Sequence, residues 1–523
     1  MMMSFECVNC SRRVDTDKLD ARCARCGSAL LLAPNSEIRE GINRSDIEAQ
    51  PPGLWRFRAF LPKVAEEHTV TLGEGATPLL QARRLGDELG FSNLWIKDES
   101  RNPTGSFIDR GSTVLVSLAK ERRVEGISCT TTGNLGASLA AYCAKAGIDI
   151  ETRIHPNTDH GKLYQMIAYG ARVEIIAKIN QERDYYDSDG SLLSVTAANP
   201  FILEGEKTTG FEIIQDLDWK QPDAIVVPVG TGGHLTMIWR GIQQLYNAGL
   251  MKEEEEGSSC SSIKMIGVQL QASAPIVDIL HLRKIGGGRG RRSSKNIALS
   301  EEEEEEEPLT ELEESEPIFK KTAVQAIRSS KGHGIEVSAR EAIQATSLLA
   351  RTEGIFAEPA SASVVASLDV MREEGRLERN DRVVCVITGA GLKDTKIITR
   401  IAGTPKHVIA REELIVRPLE IGSTKQAILN ALKSEPNFGY NLWKLISSAE
   451  KKSITTASVY QHLSELEGAS LIRRTRVARV KGRERILYEL TRKGREFLGV
   501  TVRMKKKNKK GDEGFAIDRL SPL

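Results

Sequence analysis

Short apolar runs alternate with helix-spaced stretches along most of this chain. Leu94 to Lys97 reads as a strand, Ser112 to Arg122 as a helix, Gly126 to Thr130 as a strand and alanine-rich Ala137 to Ala146 as a helix. Val173 to Ala177, Ala224 to Val229, Met265 to Leu270 and Val383 to Thr388 are further short apolar runs. Such runs suit strands covered on both faces, as in parallel sheets. Strands alternating with helices, with glycine loops at the strand ends, predict an open α/β sheet with crevice sites. The pattern places a two-subdomain α/β body between about Gly73 and Gly403.

Beyond Pro405 the periodicity changes. Thr424 to Ser434 is apolar at helical spacing (Ala427, Ile428, Ala431, Leu432), and Tyr440 to Ser447 makes a second helix. Thr455 to Glu467 makes a third, with Val459, Leu463 and Leu466 on its apolar side. Leu471 to Val480, a Lys481-Gly482-Arg483 turn and Ile486 to Leu490 predict a hairpin. Three helices followed by a basic hairpin is the winged helix-turn-helix pattern. Two low-complexity stretches, residues 253–262 and 286–316, interrupt the α/β body, and the second contains the acidic run Glu301 to Glu307. Neither buries enough apolar surface to offset its ordering entropy, so both are expected to be mobile surface insertions.

The net charge of +2 conceals an asymmetry, because Ile421 to Leu523 holds 22 Lys and Arg against 10 Asp and Glu. That excess points the C-terminal part toward a polyanion, while the block Arg503 to Lys510 also reads as a plain solvated tail. No apolar run approaches the length of a membrane span, and Met1 to Glu6 lacks signal-peptide character. A cytoplasmic location is expected.

Cys7, Cys10, Cys23 and Cys26 form C-x2-C-x12-C-x2-C. Paired knuckles at this spacing bring four thiolates around one tetrahedral zinc, a closed structural shell; coincidental pairs or a redox pair are the alternatives. Cys129, Cys143, Cys260 and Cys385 are scattered and read as buried small hydrophobes.

Several loops carry candidate chemistry. Val229-Gly230-Thr231-Gly232-Gly233-His234 follows a buried strand, and its glycines let backbone amides converge on a phosphate. Thr131-Thr132-Gly133-Asn134 joins a strand to a helix, where amides and hydroxyls suit a carboxylate, although a plain helix-entry turn reads the same. Thr388-Gly389-Ala390-Gly391 follows the last strand of the body, and Gly73 to Leu79 and Glu358 to Ala362 are further markers.

Taken in order, these motifs and Asn102-Pro103-Thr104-Gly105-Ser106-Phe107-Ile108-Asp109-Arg110-Gly111 resemble the threonine synthases. These are fold type II (β-family) enzymes that use pyridoxal 5'-phosphate (PLP). The resemblance runs from about Cys7 to Gly403 and includes the zinc ribbon of some members. It implies that Phe107 packs on the cofactor ring and Asn134 bonds its phenolic oxygen. Gly230, Thr231, Gly232, Gly233 and His234 would cup its phosphate, a surface imidazole being the equal alternative for His234, with Thr388 on the pyridine nitrogen. Thr131, Thr132 and Gly133 would hold the substrate carboxylate. A hydroxyl partner for the ring nitrogen suits β-elimination and replacement chemistry.

Two departures stand out. The family has its Schiff-base lysine where this chain has Ile108, which has no nitrogen with which to bond an aldehyde. Lys97 and Lys393 are the lysines that could substitute, against the steep cost of misplacing a reacting group. In addition, the charged insertion displaces the family's helical segment between Pro275 and Gly332.

The C-terminal tract resembles PadR-type transcriptional regulators. Ser458, Tyr460, Gln461 and His462 would face a DNA major groove, and Arg473, Arg474, Arg476, Arg479, Arg483 and Arg485 would grip phosphates. A winged domain used for dimerisation or protein contacts is the alternative. The expected organisation is a zinc ribbon at 1–33, a fold type II body at 34–403 and a linker at 404–420. A winged helix at 421–500 and a basic tail at 501–523 complete it, and the resemblance implies a homodimer. The leading expectation is a PLP-pocket protein without covalent catalysis, coupled to DNA. An active lyase and an inert paralogue are the rivals.

Overall fold

The apolar runs do become strands. Ala224–Pro228 and Val383–Ile387 are buried at every position and lie side by side in a six-stranded sheet. Its order is His333–Val337, Lys264–Leu270, Ala224–Pro228, Val383–Ile387, Leu94–Asp98, Leu79–Gln81. All neighbours are parallel except the last pair. A second, four-stranded parallel sheet has the order Arg172–Ile175, Asp149–Ile154, Gly126–Thr131, Leu193–Val195. These two sheets are the two halves expected of the body, each with helices packed against it.

This computed structural model divides into two units, residues 1–406 and 407–523. It describes residues 2–33, 41–131, 133–176, 192–251, 262–282, 315–395, 422–433, 435–449, 455–480 and 483–498. The linker at 404–420, the tail at 501–523 and nearly all of both low-complexity stretches lie outside them.

Two expectations change. The run starting at Val173 is not covered on both faces: it forms the edge strand Arg172–Ile175, where Arg172, Glu174 and Ile175 are exposed. An edge strand pairs on one side only, so its charges stay solvated. The stretch from Pro275 to Gly332, expected to have lost its helical segment, carries helices Pro275–Leu282 and Lys320–Ser329.

At the N-terminus, Met3–Cys7 pairs antiparallel with Arg13–Thr16 and Leu30–Leu32. This ribbon packs on the body, with Phe5 edge-on to Phe201 at 5.9 Å between ring centroids. The second unit has helices Ser423–Ala431, Gly439–Ala449 and Thr456–Gly468, then the hairpin Ile472–Val480 and Arg483–Leu490 and a short helix Arg492–Phe497. Asn437–Phe438 adds a third strand beside Arg483–Leu490. Ile428, Leu442, Val459, Leu463 and Leu490 form its buried core. No helix among the described residues is long and apolar enough to cross a membrane.

Candidate functional site

Four of the sequence motifs leave the C-terminal ends of parallel strands, which is where open α/β sheets place their crevice. Leu94–Asp98 leads into the Asn102–Gly111 segment, Gly126–Thr131 into Gly133, Ala224–Pro228 into the glycine loop, and Val383–Ile387 into Thr388. Backbone bonds lash two of these segments to each other and to Glu358. Phe107 N–H donates to Thr388 O (3.1 Å), Ala390 N–H to Gly105 O (2.9 Å) and Glu358 N–H to Gly389 O (3.0 Å). The Thr388 hydroxyl lies 2.7 Å from that of Ser361.

Ile108 caps the helix Asp109–Glu121 and is 7% exposed. It belongs to the apolar cluster that also holds Leu135, Leu139 and Phe201, with Phe107 packed against it. The next two residues fix the segment in place. The Asp109 carboxylate accepts the Thr104 N–H (2.7 Å), the Thr104 hydroxyl (2.7 Å) and the Ser138 hydroxyl (2.5 Å). Burial raises its pKa above the ordinary range.

Arg110 is fully buried. Its guanidinium binds Glu99 at 2.5 Å and 2.7 Å, Glu212 at 2.8 Å and 2.7 Å, and the hydroxyls of Thr208 and Thr77 at 3.0 Å each. Lys97 joins this network through Glu212 and Asp216, both at 2.8 Å, and Thr77 O at 2.7 Å. Lys97 is therefore held as a structural ion. Lys393 is buried beside Gly105, where its Cδ would lie 3.3 Å from an added Cβ.

The glycine loop opens the helix Gly233–Asn247. Gly232 has φ +86°, and a Cβ there would lie 3.0 Å from Ala323 Cβ and 3.2 Å from Phe319 O. His234 is buried rather than at the surface. Its ring stacks on Phe107 at 4.0 Å and 9°, and its Nε2 lies 3.2 Å from the Thr209 hydroxyl. Its Nδ1 is buried with no hydrogen-bond partner among the described residues. Burial pushes its pKa down to about 3, so the ring is neutral.

Across the crevice, Asn134 Nδ2 lies 3.2 Å from Glu358 Oε2, while its Oδ1 is buried without a partner among the described residues. Lys162, in the helix His160–Ala168, is 1% exposed and its Nζ sits 3.0 Å from Glu358 Oε1. Gly133, at φ +141°, leaves room for it, since a Cβ there would lie 2.5 Å from Lys162 Cδ. Thr131 is buried and its hydroxyl accepts the Gly133 N–H at 3.0 Å; Thr132 lies outside the described residues. Sequence reasoning missed Lys162. Its only sequence signal is a lone lysine in a short helix of the body, and its pairing partner is almost 200 residues away.

The orphaned Asn134 and His234 atoms and the glycine cradle with no space for a Cβ fit a phosphorylated ring. Lys162 gives the crevice a buried cation for a second anionic group. Ile108 does not fit covalent attachment. Residues 70–389 match the family described as Pyridoxal-phosphate dependent enzyme, more than half of the chain. The chain belongs to this PLP-dependent family. Among its relatives are threonine synthases, one from Methanocaldococcus jannaschii being 35% identical over 80% of this chain and 100% of that one. Those from Methanosarcina acetivorans (34% identical; 79% of this chain, 98% of that one) and Mycobacterium tuberculosis H37Rv (34%; 66% and 89%) are similar. Residues 428–500 match the family described as Transcriptional regulator PadR-like family.

The four ribbon thiols lie within 4.8 Å of one another, with Cys7 to Cys26 at 3.5 Å and Cys10 to Cys23 at 3.6 Å. Tetrahedral zinc with ~2.3 Å bonds to sulfur sets neighbouring sulfurs roughly 3.8 Å apart, so the cluster fits such an ion. Cys129, Cys143 and Cys385 are buried as expected, with Cys143 and Cys385 pushed up to about 12 by burial; Cys260 lies outside the described residues.

In the PadR-like unit, Tyr460 is 47% exposed and Gln461 is exposed, while Ser458 and His462 are half-buried. Glu465 accepts from Gln461 (3.1 Å) and His462 (3.3 Å) and pairs with Lys425 (2.7 Å). Arg473 pairs with Glu489 at 2.6 Å and Arg474 with Glu467 at 2.9 Å. Arg476, Arg479, Arg483 and Arg485 lie on the two hairpin strands, and their side chains are outside the described part.

Proposed function

We propose that this chain binds PLP, or an amino-acid or phosphate ligand, without a lysine at position 108, and couples that occupancy to DNA binding by its winged domain. Ile108 carries the reading: it is buried in an apolar cluster against which Phe107 packs, and the Phe107 N–H is bonded to the Thr388 carbonyl. In this reading Phe107, Asn134, Gly230, Thr231, Gly232, Gly233, His234 and Thr388 hold the cofactor. Thr131, Thr132 and Gly133, with Lys162, hold the carboxylate or phosphate of a second ligand. Bound PLP would supply an electron-withdrawing ring; the chain's own residues bind and orient it. Cys7, Cys10, Cys23 and Cys26 hold a structural zinc, and the assembly is a homodimer.

Ser458, Tyr460, Gln461 and His462 meet base edges, and the six wing arginines meet phosphates. If all six engage, the logarithm of DNA affinity should fall with the logarithm of salt concentration at a slope of about −5, and Arg476→Ala should reduce that slope by about 1. Gel-shift titrations across salt concentrations measure it; a slope near zero would leave the winged domain as a protein-contact module.

The competing reading is an active lyase, supported by every pocket motif apart from position 108. Assays with O-phosphohomoserine, serine and threonine separate the two. Absence of turnover, together with a PLP-dependent change in DNA affinity, is expected. Turnover by the unaltered chain would sink the regulator reading.

A further inference from the structure

The N-terminal ribbon leans on the supports of the glycine loop. Val8, between ligands Cys7 and Cys10, donates its N–H to Ala29 O at 3.2 Å. Ala29 and Leu31 are buried in a cluster with Leu203, Met237 and Phe319, and Val8 packs against it. Phe319 is also part of the loop's cradle. Its N–H donates to Thr231 O at 3.0 Å, and a Cβ at Gly233 would lie 3.3 Å from its ring and 2.9 Å from Leu203 Cδ2. One residue thus shares a buried cluster with the ribbon and bonds the loop through its backbone.

Three polar struts run in parallel with it. Arg240, on the helix that the loop opens, donates to Leu32 O at 2.5 Å. Lys321 Nζ reaches Asn9 O at 3.4 Å, and the N–H of Asn9 points to Cys7 Sγ at 3.4 Å. Asn199 Nδ2 donates to Leu19 O at 2.7 Å.

We propose that metal occupancy of the four-cysteine cluster sets how tightly the Gly230–Gly233 loop holds a phosphate, with Phe319 as the positioning residue between them. A ribbon of some thirty residues has little core of its own beyond its packing on the body, and metal binding adds to its folding free energy. When the thiols are not tied together, Ala29 and Leu31 no longer press on Phe319. The Thr231 carbonyl then loses its tie to the Phe319 N–H, and the glycine loop loses the fixed support behind it. The coupling is reciprocal: a phosphate in the loop tightens metal binding by the same factor. The proposal rests on the pocket reading above.

The test uses the full-length, zinc-loaded chain and PLP, with affinity read by equilibrium dialysis. Chelating the zinc should weaken PLP binding about tenfold, and adding zinc back should restore it. Cys26→Ser, at an exposed ligand, should have the same effect without a chelator. In Phe319→Ala, PLP binding should be weak and change less than about twofold on zinc removal. As an independent readout, saturating PLP should slow zinc capture by a chelating dye in the unaltered chain and not in Phe319→Ala. Equal PLP affinity before and after zinc loss, with circular dichroism unchanged, overturns the coupling and leaves the pocket reading standing. No PLP binding at saturating zinc overturns both.

Discussion

Ile108→Lys is expected to fix PLP to the chain through dialysis, at about one cofactor per chain, while the unaltered protein releases it. The substitution puts an amine at the cap of a helix, in a position that is 7% exposed and lined by apolar neighbours. Desolvation disfavours the charged form of a lysine, by up to ~3–5 pKa units when burial is complete, so a neutral amine is available near pH 7. Borohydride reduction followed by peptide mass spectrometry should locate the adduct at residue 108, with new absorbance in the visible before reduction. An adduct at Lys162 or Lys393 instead would mean that the crevice presents its aldehyde-facing side elsewhere.

The second large effect is on stability. Arg110→Ala leaves Glu99 without its guanidinium partner and takes one of two cations from Glu212, all at buried positions. Breaking a buried ion pair from one side costs about 3–5 kcal/mol, a large fraction of a domain's total. Urea denaturation should show that loss, and the entry segment should loosen, because Ala76 N–H donates to Glu212 at 2.8 Å. The same network predicts an acid limit. Arg110 holds the carboxyls of both Glu99 and Glu212 below the ordinary range, against the effect of burial. A depressed carboxylate contributes stability above its unfolded pKa of ~4.3 and loses it as pH falls toward the folded value. The unaltered chain should keep its midpoint from pH 7 to about 5 and lose it steeply below about 4. Arg110→Ala should flatten that acid limb.

Much of the framework was legible because it depends on short-range pattern. Ala224–Pro228 and Val383–Ile387 are unbroken apolar runs, and a strand buried on both faces requires that. The winged-domain helices begin and end within a few residues of their expected limits, since Val459, Leu463 and Leu466 repeat at helical spacing. The Arg110 network was not legible. Nothing local distinguishes a buried arginine from a solvated one, and Glu212 lies 102 positions away. Lys162 was hidden for the same reason, its partner Glu358 being brought in by a different strand crossover. The edge position of Arg172–Ile175 depends on which strands pair, a tertiary choice that periodicity does not encode.

The buried imidazole of His234 has a further consequence. A histidine at a phosphate loop would ordinarily make ligand affinity follow acidity around neutrality. Here the ring is wedged against Phe107 and its pKa is pushed down to about 3, so its charge does not change across the range a cell experiences. Whatever response to acidity a ligand in this loop shows would then come from the ligand's own phosphate and not from the imidazole.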